Sequence, residues 1–382
     1  PDPKAALAEM LRADARTPVD IVKGRPVRAM LIQTGADDHV LVLTLHHIAC
    51  DGWSYNVMFP ELAADYTASL AGQHADLPKA PSFVDFAHQL AAMKAKPETL
   101  AYWKDQYQTL PSLPELPTDH PRPARRGYKG DTVSAFMDAE ALVNLRKTGA
   151  RMGCTLFATL FGGLALTLGK LSDANDLVLG VPFGSRGSDK FRKLVGHCVN
   201  FLPIRANVDT ALPVKTYLSA IGSTVLDAFE HEQTTYGTLL DQLNVPRDVN
   251  RLPLTEVMFN LRREDAGVQI DGLDCALSPN PKAAVNFDLF FNVIESRRGL
   301  RIDVDYNSEI FTAETIKRWI GHLQNVLAEM GRDSDQPLRE ISLMTAEDLT
   351  GLVNANKATA RDYDTTRSVL EHIEMRRQET PR

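Results

Sequence analysis

Cysteine is scarce. Only Cys50, Cys154, Cys198 and Cys275 occur in 382 residues, far apart and with no CxxC pair. That spacing gives no zinc or disulfide framework and fits a reducing cytoplasm. No apolar run approaches the ~20 residues that span a bilayer, so no membrane partner is expected. No secretory signal pattern opens the chain. Positive charge is also short: 42 Lys and Arg stand against 49 Asp and Glu, a formal charge of -7. Without a dense basic stripe, a nucleic-acid partner is not expected either. The short run Arg122 to Lys129 is broken by proline and reads as a solvated linker. A GxSxG elbow is absent, which disfavours a covalent acyl-enzyme. What is present, 44% apolar and 24% charged residues, is the composition of an ordinary globular chain with room for two or three cores.

Neither terminus looks natural. There is no initiator Met, and both end stretches read as helices cut in mid-course, so a piece of something longer is expected. Inside, "PVRAMLIQ" and "HVLVLTL" flank the turn cluster "TGADD" and read as a hairpin. The second run is apolar at nearly every position, which predicts a strand buried on both faces. Met58, Leu62, Tyr66 and Leu70 form a helical stripe, and Phe83 to Tyr107 reads as helical again. "LPSLPELPTDHPRPARRG", with its five prolines, reads as an extended crossing between two lobes. Beyond it, "SAFMDAEALVNLRKTGARMG" and "TLFATLFGGLALTLGKL" read as helices, and "DLVLGVPF", "TEVMFNLR", "VNFDLFFNVIES" and "GLRIDVDYN" as strands. "VGHCVNFLPIRANV" reads as a loop running into a further strand. Ile316, Trp319, Ile320, Leu323, Val326, Leu327 and Met330 share one helix face. From about Met344 the chain turns polar and reads as a linker. The mixture predicts α/β layers in two lobes, with a cleft between them as the place for a site.

The chemistry concentrates in "LTLHHIACDGWS", Leu43 to Ser54. Adjacent residues at a strand end point to opposite faces, so His46 and His47 make a poor metal pair, and no third ligand stands at a useful spacing. No metal is expected. One reading is structural: a satisfied core histidine followed by an Asp51-Gly52 turn. The other is catalytic. Histidine moves protons near neutral pH, and the Gly52 amide, with no side chain to block approach, can face a developing oxyanion. Asp51 then orients the imidazole or pins the loop through an arginine.

These residues resemble a known family. "HHIACDGWS" is similar to the HHxxxDGxS motif of condensation domains of nonribosomal peptide synthetases. HHxxxDG alone also marks chloramphenicol-acetyltransferase-like enzymes and wax-ester and acylglycerol synthases. Further segments resemble the condensation family in order: "FVDFAHQL", "YWKDQYQTLPSLPELPTDHPRP", "VGHCVNFLPIR", "VPRDVNRLPLTEVMFNL", "VNFDLFFNV" and "DVDYNSEIFTAETIKRWIGHLQNVL". The last part, from "SLMTAEDL", resembles the linker into an adenylation domain.

The resemblance implies an α/β fold of two chloramphenicol-acetyltransferase-like lobes in a V around a central tunnel. It implies 1–125 as the remainder of the N-terminal lobe, 126–345 as the C-terminal lobe, and 346–382 as linker and start of an adenylation domain. Its implied activity is peptide-bond formation between a donor acyl thioester and an acceptor amine. Both substrates would arrive on phosphopantetheine arms of upstream and downstream carrier proteins, with no cofactor bound directly. His47 would be catalytic, His46 supporting, Asp51 structural and Gly52 near the oxyanion. Trp53 and Ser54 would pack the following helix start; Asn200 and Arg205 would line the far lobe. Asp288 matches a frequent family residue of no assigned role. The family also carries elements ahead of the histidines, including an RHExLR-like helix end that supplies an arginine for the aspartate. Only 45 residues precede His46. An incomplete first lobe is therefore expected, with Arg28 and Arg205 as substitutes. Cys50 stands where the family often has Ser, and His197 and Cys198 stand in a loop where Phe is common; such loops occur in hybrid polyketide-peptide systems. Ester formation, epimerisation and a non-catalytic docking role are the alternatives.

Overall fold

The computed structural model describes residues 2–93, 95–264, 267–361 and 366–379. The chain divides into two compact units, 1–343 and 344–382.

In the first unit, helix α1 (Pro3–Arg16) precedes the hairpin of β1 (Val27–Gln33) and β2 (His39–Leu45). The strands pair antiparallel in a two-stranded sheet, Val27 opposite Leu45 and Gln33 opposite His39. The hairpin expectation holds, but burial on both faces does not. Only Val42 of β2 is buried, and the paired Leu31 and Leu41 are exposed. Two strands alone, with α1 beside them, cannot cover both faces of so apolar a run.

Helices α2 (Gly52–Leu70), α3 (Phe83–Ala92) and α4 (Pro97–Gln106) follow. The sequence predicts one helical stretch from Phe83 to Tyr107; Pro97 splits it. Lys96 is extended (φ -65°, ψ 147°) and Pro97 opens α4 at its first turn, as expected of a residue before proline and of proline itself.

The proline-rich crossing leads into β3 (Gly130–Asp138), α5 (Ala139–Arg151), α6 (Leu156–Ser172), β4 (Asp176–Gly184), β5 (Val199–Asn207), α7 (Val214–Glu230), α8 (Tyr236–Gln242), β6 (Val257–Arg263), β7 (Leu289–Ser296), β8 (Gly299–Asn307) and α9 (Ala313–Arg332). Their six strands form one mixed sheet in the order β3-β8-β7-β6-β4-β5. β6 runs parallel to β4 and β7; the other pairs are antiparallel. "SAFMD" is therefore not the start of a helix. It pairs with β8 as an edge strand, and Asp138 caps α5 by accepting the Ala141 N–H at 2.9 Å. The hydroxyls of β3 find acceptors across the ladder: Thr132 donates to Asp305 at 2.6 Å and Ser134 to Asp303 at 2.8 Å.

The core lies between this sheet and the helices. Leu160, Leu164 and Leu168 of α6, and all seven residues of the predicted α9 face, are buried in it. The run Arg122 to Lys129 is not a solvated linker throughout. Arg122 and Arg126 reach the buried Asp288 carboxylate at 2.7 and 3.3 Å, and Arg122 and Arg251 reach Glu256 at 3.5 and 2.7 Å. Asp288 thus clamps the crossing to the sheet.

Among its described residues the second unit has two helices, α10 (Ala346–Thr359), where a polar linker is expected, and α11 (Val369–Glu379), which falls on the closing stretch that reads as a helix. α10 begins in a capping box between Thr345 and Asp348, which explains a helix in so polar a stretch. No single described helix is long and apolar enough to cross a membrane.

Candidate active site

The histidine motif begins where β2 ends. The His46 N–H donates to Pro26 O at 2.8 Å, closing the hairpin. His46 Nδ1 then accepts the Ile48 N–H at 3.1 Å and caps a short 3-10 turn, His47–Ala49. The two histidines therefore diverge: His46 folds back on its own turn, and His47 points outward from it. Cys50 is extended, and Asp51 is the N-cap of α2. Asp51 Oδ1 accepts the Ser54 N–H at 3.0 Å, while the Asp51 N–H donates to Ser54 Oγ at 3.3 Å. "DGWS" is thus a reciprocal capping box. Asp51-Gly52 is a helix start, not the turn of the structural reading.

The loop between β4 and β5 wraps this helix start. Arg186 donates from Nη1 to Asp51 Oδ2 at 3.0 Å and from Nη2 to Asp51 Oδ1 at 2.8 Å. Its Nη2 also donates to Leu194 O at 3.1 Å. The Cys198 N–H donates to Asp51 Oδ2 at 3.0 Å, and the Gly196 N–H donates to Ser54 Oγ at 3.2 Å. Trp53 donates from Nε1 to Arg192 O at 2.8 Å, and its ring lies 5.8 Å from the Arg186 guanidinium. Arg186, Asp51 and Ser54 are buried.

Arg186 is the partner that Asp51 requires, and it corrects the expectation for Arg28 and Arg205. Arg28 is held by α1, donating from Nε to Asp14 at 2.6 Å. Arg205 donates from Nε and Nη2 to Asp176 at 2.8 and 2.6 Å, and from Nη1 to Gln106 O and Thr109 O at 2.6 and 2.9 Å. It sits six residues along β5 from Val199, about 20 Å of strand away from the loop end. There it fastens the crossing to the sheet instead of lining the histidine site. Asn200 is engaged too: Nδ2 donates to Thr234 O at 2.6 Å, and Oδ1 accepts the Tyr236 N–H at 3.1 Å.

A small separate core supports the loop. Phe86, Phe191, Leu194 and Cys198 pack together, with Leu90 against them. Phe83 covers Gly196 so closely that a Cβ there would lie 2.4 Å from its ring. "FVDFAHQL" therefore acts through packing, the buried Phe86 ring contributing roughly 1.5–3 kcal/mol.

Burial works against the Asp51 carboxylate. Arg186, the Cys198 N–H and Ser54 outweigh it and hold the group below its ordinary range. The Cys50 and Cys198 thiols are pushed up, chiefly by burial, so neither is an activated nucleophile.

The loop brings a second histidine to the first. His197 Nδ1 lies 3.0 Å from His47 Nδ1, with the rings edge-on at 79°. His47 and His197 are both exposed. Two shallow hollows lie elsewhere, one beside Ala64 and Thr67 and one beside Leu110 and Pro111. The site is recognised by its polar cluster on an open face. Arg186 is the residue that sequence reasoning misses. Only the β4–β5 hairpin register, with Gly184 opposite Val199, places the residues after one strand beside those before the other.

The family model for the condensation domain matches residues 2–353. The chain is 30% identical to malpinin synthetase of Mortierella alpina, over 100% of its own length and 5% of that protein's. It is 28% identical to bacitracin synthase 3 of Bacillus licheniformis, over 98% of its length and 6% of that protein's. It thus spans less than a tenth of either. Among solved structures, the X-domain from teicoplanin biosynthesis superposes with a TM-score of 0.81 at 22% identity, covering 89% of this chain and 79% of that one. The first condensation domain of the calcium-dependent antibiotic synthetase, in complex with a substrate analogue, gives 0.76 at 19% identity, covering 90% and 76%. These likenesses place the architecture among chloramphenicol-acetyltransferase-like folds. With the match extending from before the hairpin to within α10, the chain belongs to the condensation-domain family of nonribosomal peptide synthetases.

Proposed function

We propose that the chain forms an amide between a donor acyl thioester and the amine of an acceptor aminoacyl thioester. Each substrate is carried on the phosphopantetheine arm of a carrier protein, one upstream and one downstream. An adenylation domain adjoins in the same cytoplasmic polypeptide. The observation that carries this reading is the seating of His47. An exposed imidazole projects from a turn whose far side is locked by the Asp51–Arg186–Ser54 cluster. A rigidly mounted base beside an open helix start suits direct attack of one substrate on the other.

The amine lone pair attacks the thioester carbonyl, forming the N–C bond and moving the carbonyl electrons onto oxygen. His47 takes the ammonium proton. The Gly52 amide, at the first turn of α2 with open space around its Cα, meets the oxyanion, and the helix N-terminus favours negative charge there. Collapse breaks the C–S bond, and the proton passes from His47 to the leaving thiolate. Asp51 does not touch substrate; it holds the turn. His46 supports from behind through its own cap. Trp53 and Ser54 fix the loop against α2.

The test loads donor and acceptor carrier proteins with candidate substrates, adds the protein, and follows products by mass spectrometry. Wild type gives condensed product, and His47→Ala loses about 10²- to 10⁴-fold, the usual range for a general base. Equal product from both removes His47 from the chemistry. Epimerised but uncondensed substrate overturns the condensation reading.

A further inference from the structure

We infer that His197 is a positioning residue for His47: its Nδ1 accepts the His47 Nδ1–H, which leaves the Nε2 lone pair of His47 directed at the acceptor amine. This rests on the reading of His47 as the base.

The geometry narrows the choices. The two Nδ1 atoms are 3.0 Å apart, a hydrogen-bond distance that holds one proton and not two. If the proton belongs to His197, His47 accepts at Nδ1, and its neutral ring must carry hydrogen on Nε2. That nitrogen then only donates, and it cannot take a proton from an amine. If the proton belongs to His47, its Nε2 is the free acceptor that a base requires. No hydrogen bond occupies that nitrogen among the described residues.

His197 is mounted for this task. Both of its chain neighbours are bonded to the helix start that follows the histidines. The Gly196 N–H meets Ser54 Oγ at 3.2 Å, and the Cys198 N–H meets Asp51 Oδ2 at 3.0 Å. The loop and the motif therefore form one rigid piece, and the imidazole separation is set by the same cluster that seats His47. A phenylalanine at this position would keep the ring and lose the acceptor.

Charge agrees with the assignment. His197 is exposed as a residue, but partial desolvation of its ring first, and then the neighbouring His47, push the imidazole below its ordinary range; Asp51 and the His47 backbone pull the other way without reversing it. A neutral His197 keeps its acceptor lone pair near neutral pH. As His47 takes the amine proton at Nε2, its Nδ1–H stays on His197, which supports the imidazolium until the proton moves on to the departing thiolate.

Histidine tautomers are read directly by long-range ¹H–¹⁵N NMR on the ¹⁵N-histidine-labelled full chain at neutral pH, with no substrate present. The expected result is Nδ1–H on His47 in wild type, loss of that preference in His197→Phe, and its return in His197→Asn, whose side-chain oxygen accepts in place of Nδ1. In the carrier-protein assay, kcat falls by at least roughly tenfold in His197→Phe, the lower end of what losing the hydrogen-bond partner of a metal-bound histidine costs. KM stays near wild type, and His197→Asn recovers most of the rate. Nε2–H on His47 in wild type overturns the proposal, as does a His197→Phe protein with unchanged tautomer or unchanged kcat. If wild type makes no amide, the chemistry assigned to His47 fails, while the tautomer still decides whether His197 holds it.

Discussion

Arg186 closes on Asp51 with both terminal nitrogens of its guanidinium, one to each carboxylate oxygen, at 3.0 and 2.8 Å. The pair is buried across a sequence separation of 135 residues. It joins the helix start after the histidines to the loop between β4 and β5. Removing one member leaves the other as a buried charge without its counterion, which costs about 3–5 kcal/mol. Asp51→Asn and Arg186→Met are each expected to lower the urea midpoint by a corresponding amount. The double variant is expected to be more stable than the sum of the two losses, because no lone charge remains. Strictly additive losses in urea titrations would show that the pair is not coupled. Asp51→Asn is expected to harm folding more than chemistry, so a well-folded but inactive variant would return Asp51 to a direct part in the reaction.

The same pair sets an acid dependence. The folded Asp51 carboxyl titrates below its ordinary value. Between the folded and unfolded values the unfolded chain holds more protons, so stability rises with pH through that window. The contribution is full above about pH 4, the ordinary aspartate range, and disappears as pH falls through the depressed folded value. The stability gap between wild type and Asp51→Asn should therefore be constant from neutral pH down to about pH 4 and then shrink. Chemical denaturation at stepped pH measures it. A gap that persists unchanged to the lowest pH at which the protein folds would place the source elsewhere.

How much of the fold and the site is legible in the sequence depends on the range of the interaction. Asp51 and Ser54, three apart ahead of an apolar run, carry their own capping logic, and the α9 face is readable from spacing alone. His47 stands out because the strand signal ends just before it. Arg186 carries no such mark. It sits in the Gly- and Ser-containing stretch "GSRGSD", and nothing local distinguishes it from a solvated loop arginine. Arg205 misleads for the opposite reason: its motif neighbours suggest a site, yet Asp176 and two carbonyls occupy its guanidinium. "SAFMD" fails in a third way. Its residues suit a helix turn as well as a strand, and only the β8 ladder decides. Periodicity reports what a segment prefers, whereas partners across the chain settle what it does.

Gly52 separates folding from chemistry. It is the first residue of α2, and a Cβ added there meets nothing within 4 Å. Alanine is also the better helix residue, by up to about 1 kcal/mol. Gly52→Ala should therefore fold with unchanged or slightly raised stability. If the Gly52 amide meets the oxyanion, the new methyl stands where the thioester carbonyl must approach, and kcat should fall more than about tenfold, or ~1.4 kcal/mol of transition-state stabilisation. The urea midpoint and the condensation rate, taken on the same preparation, check both halves. Full activity in a normally folded Gly52→Ala protein would move the oxyanion away from this amide and leave the bare helix start as a packing feature of the Asp51–Arg186 cluster.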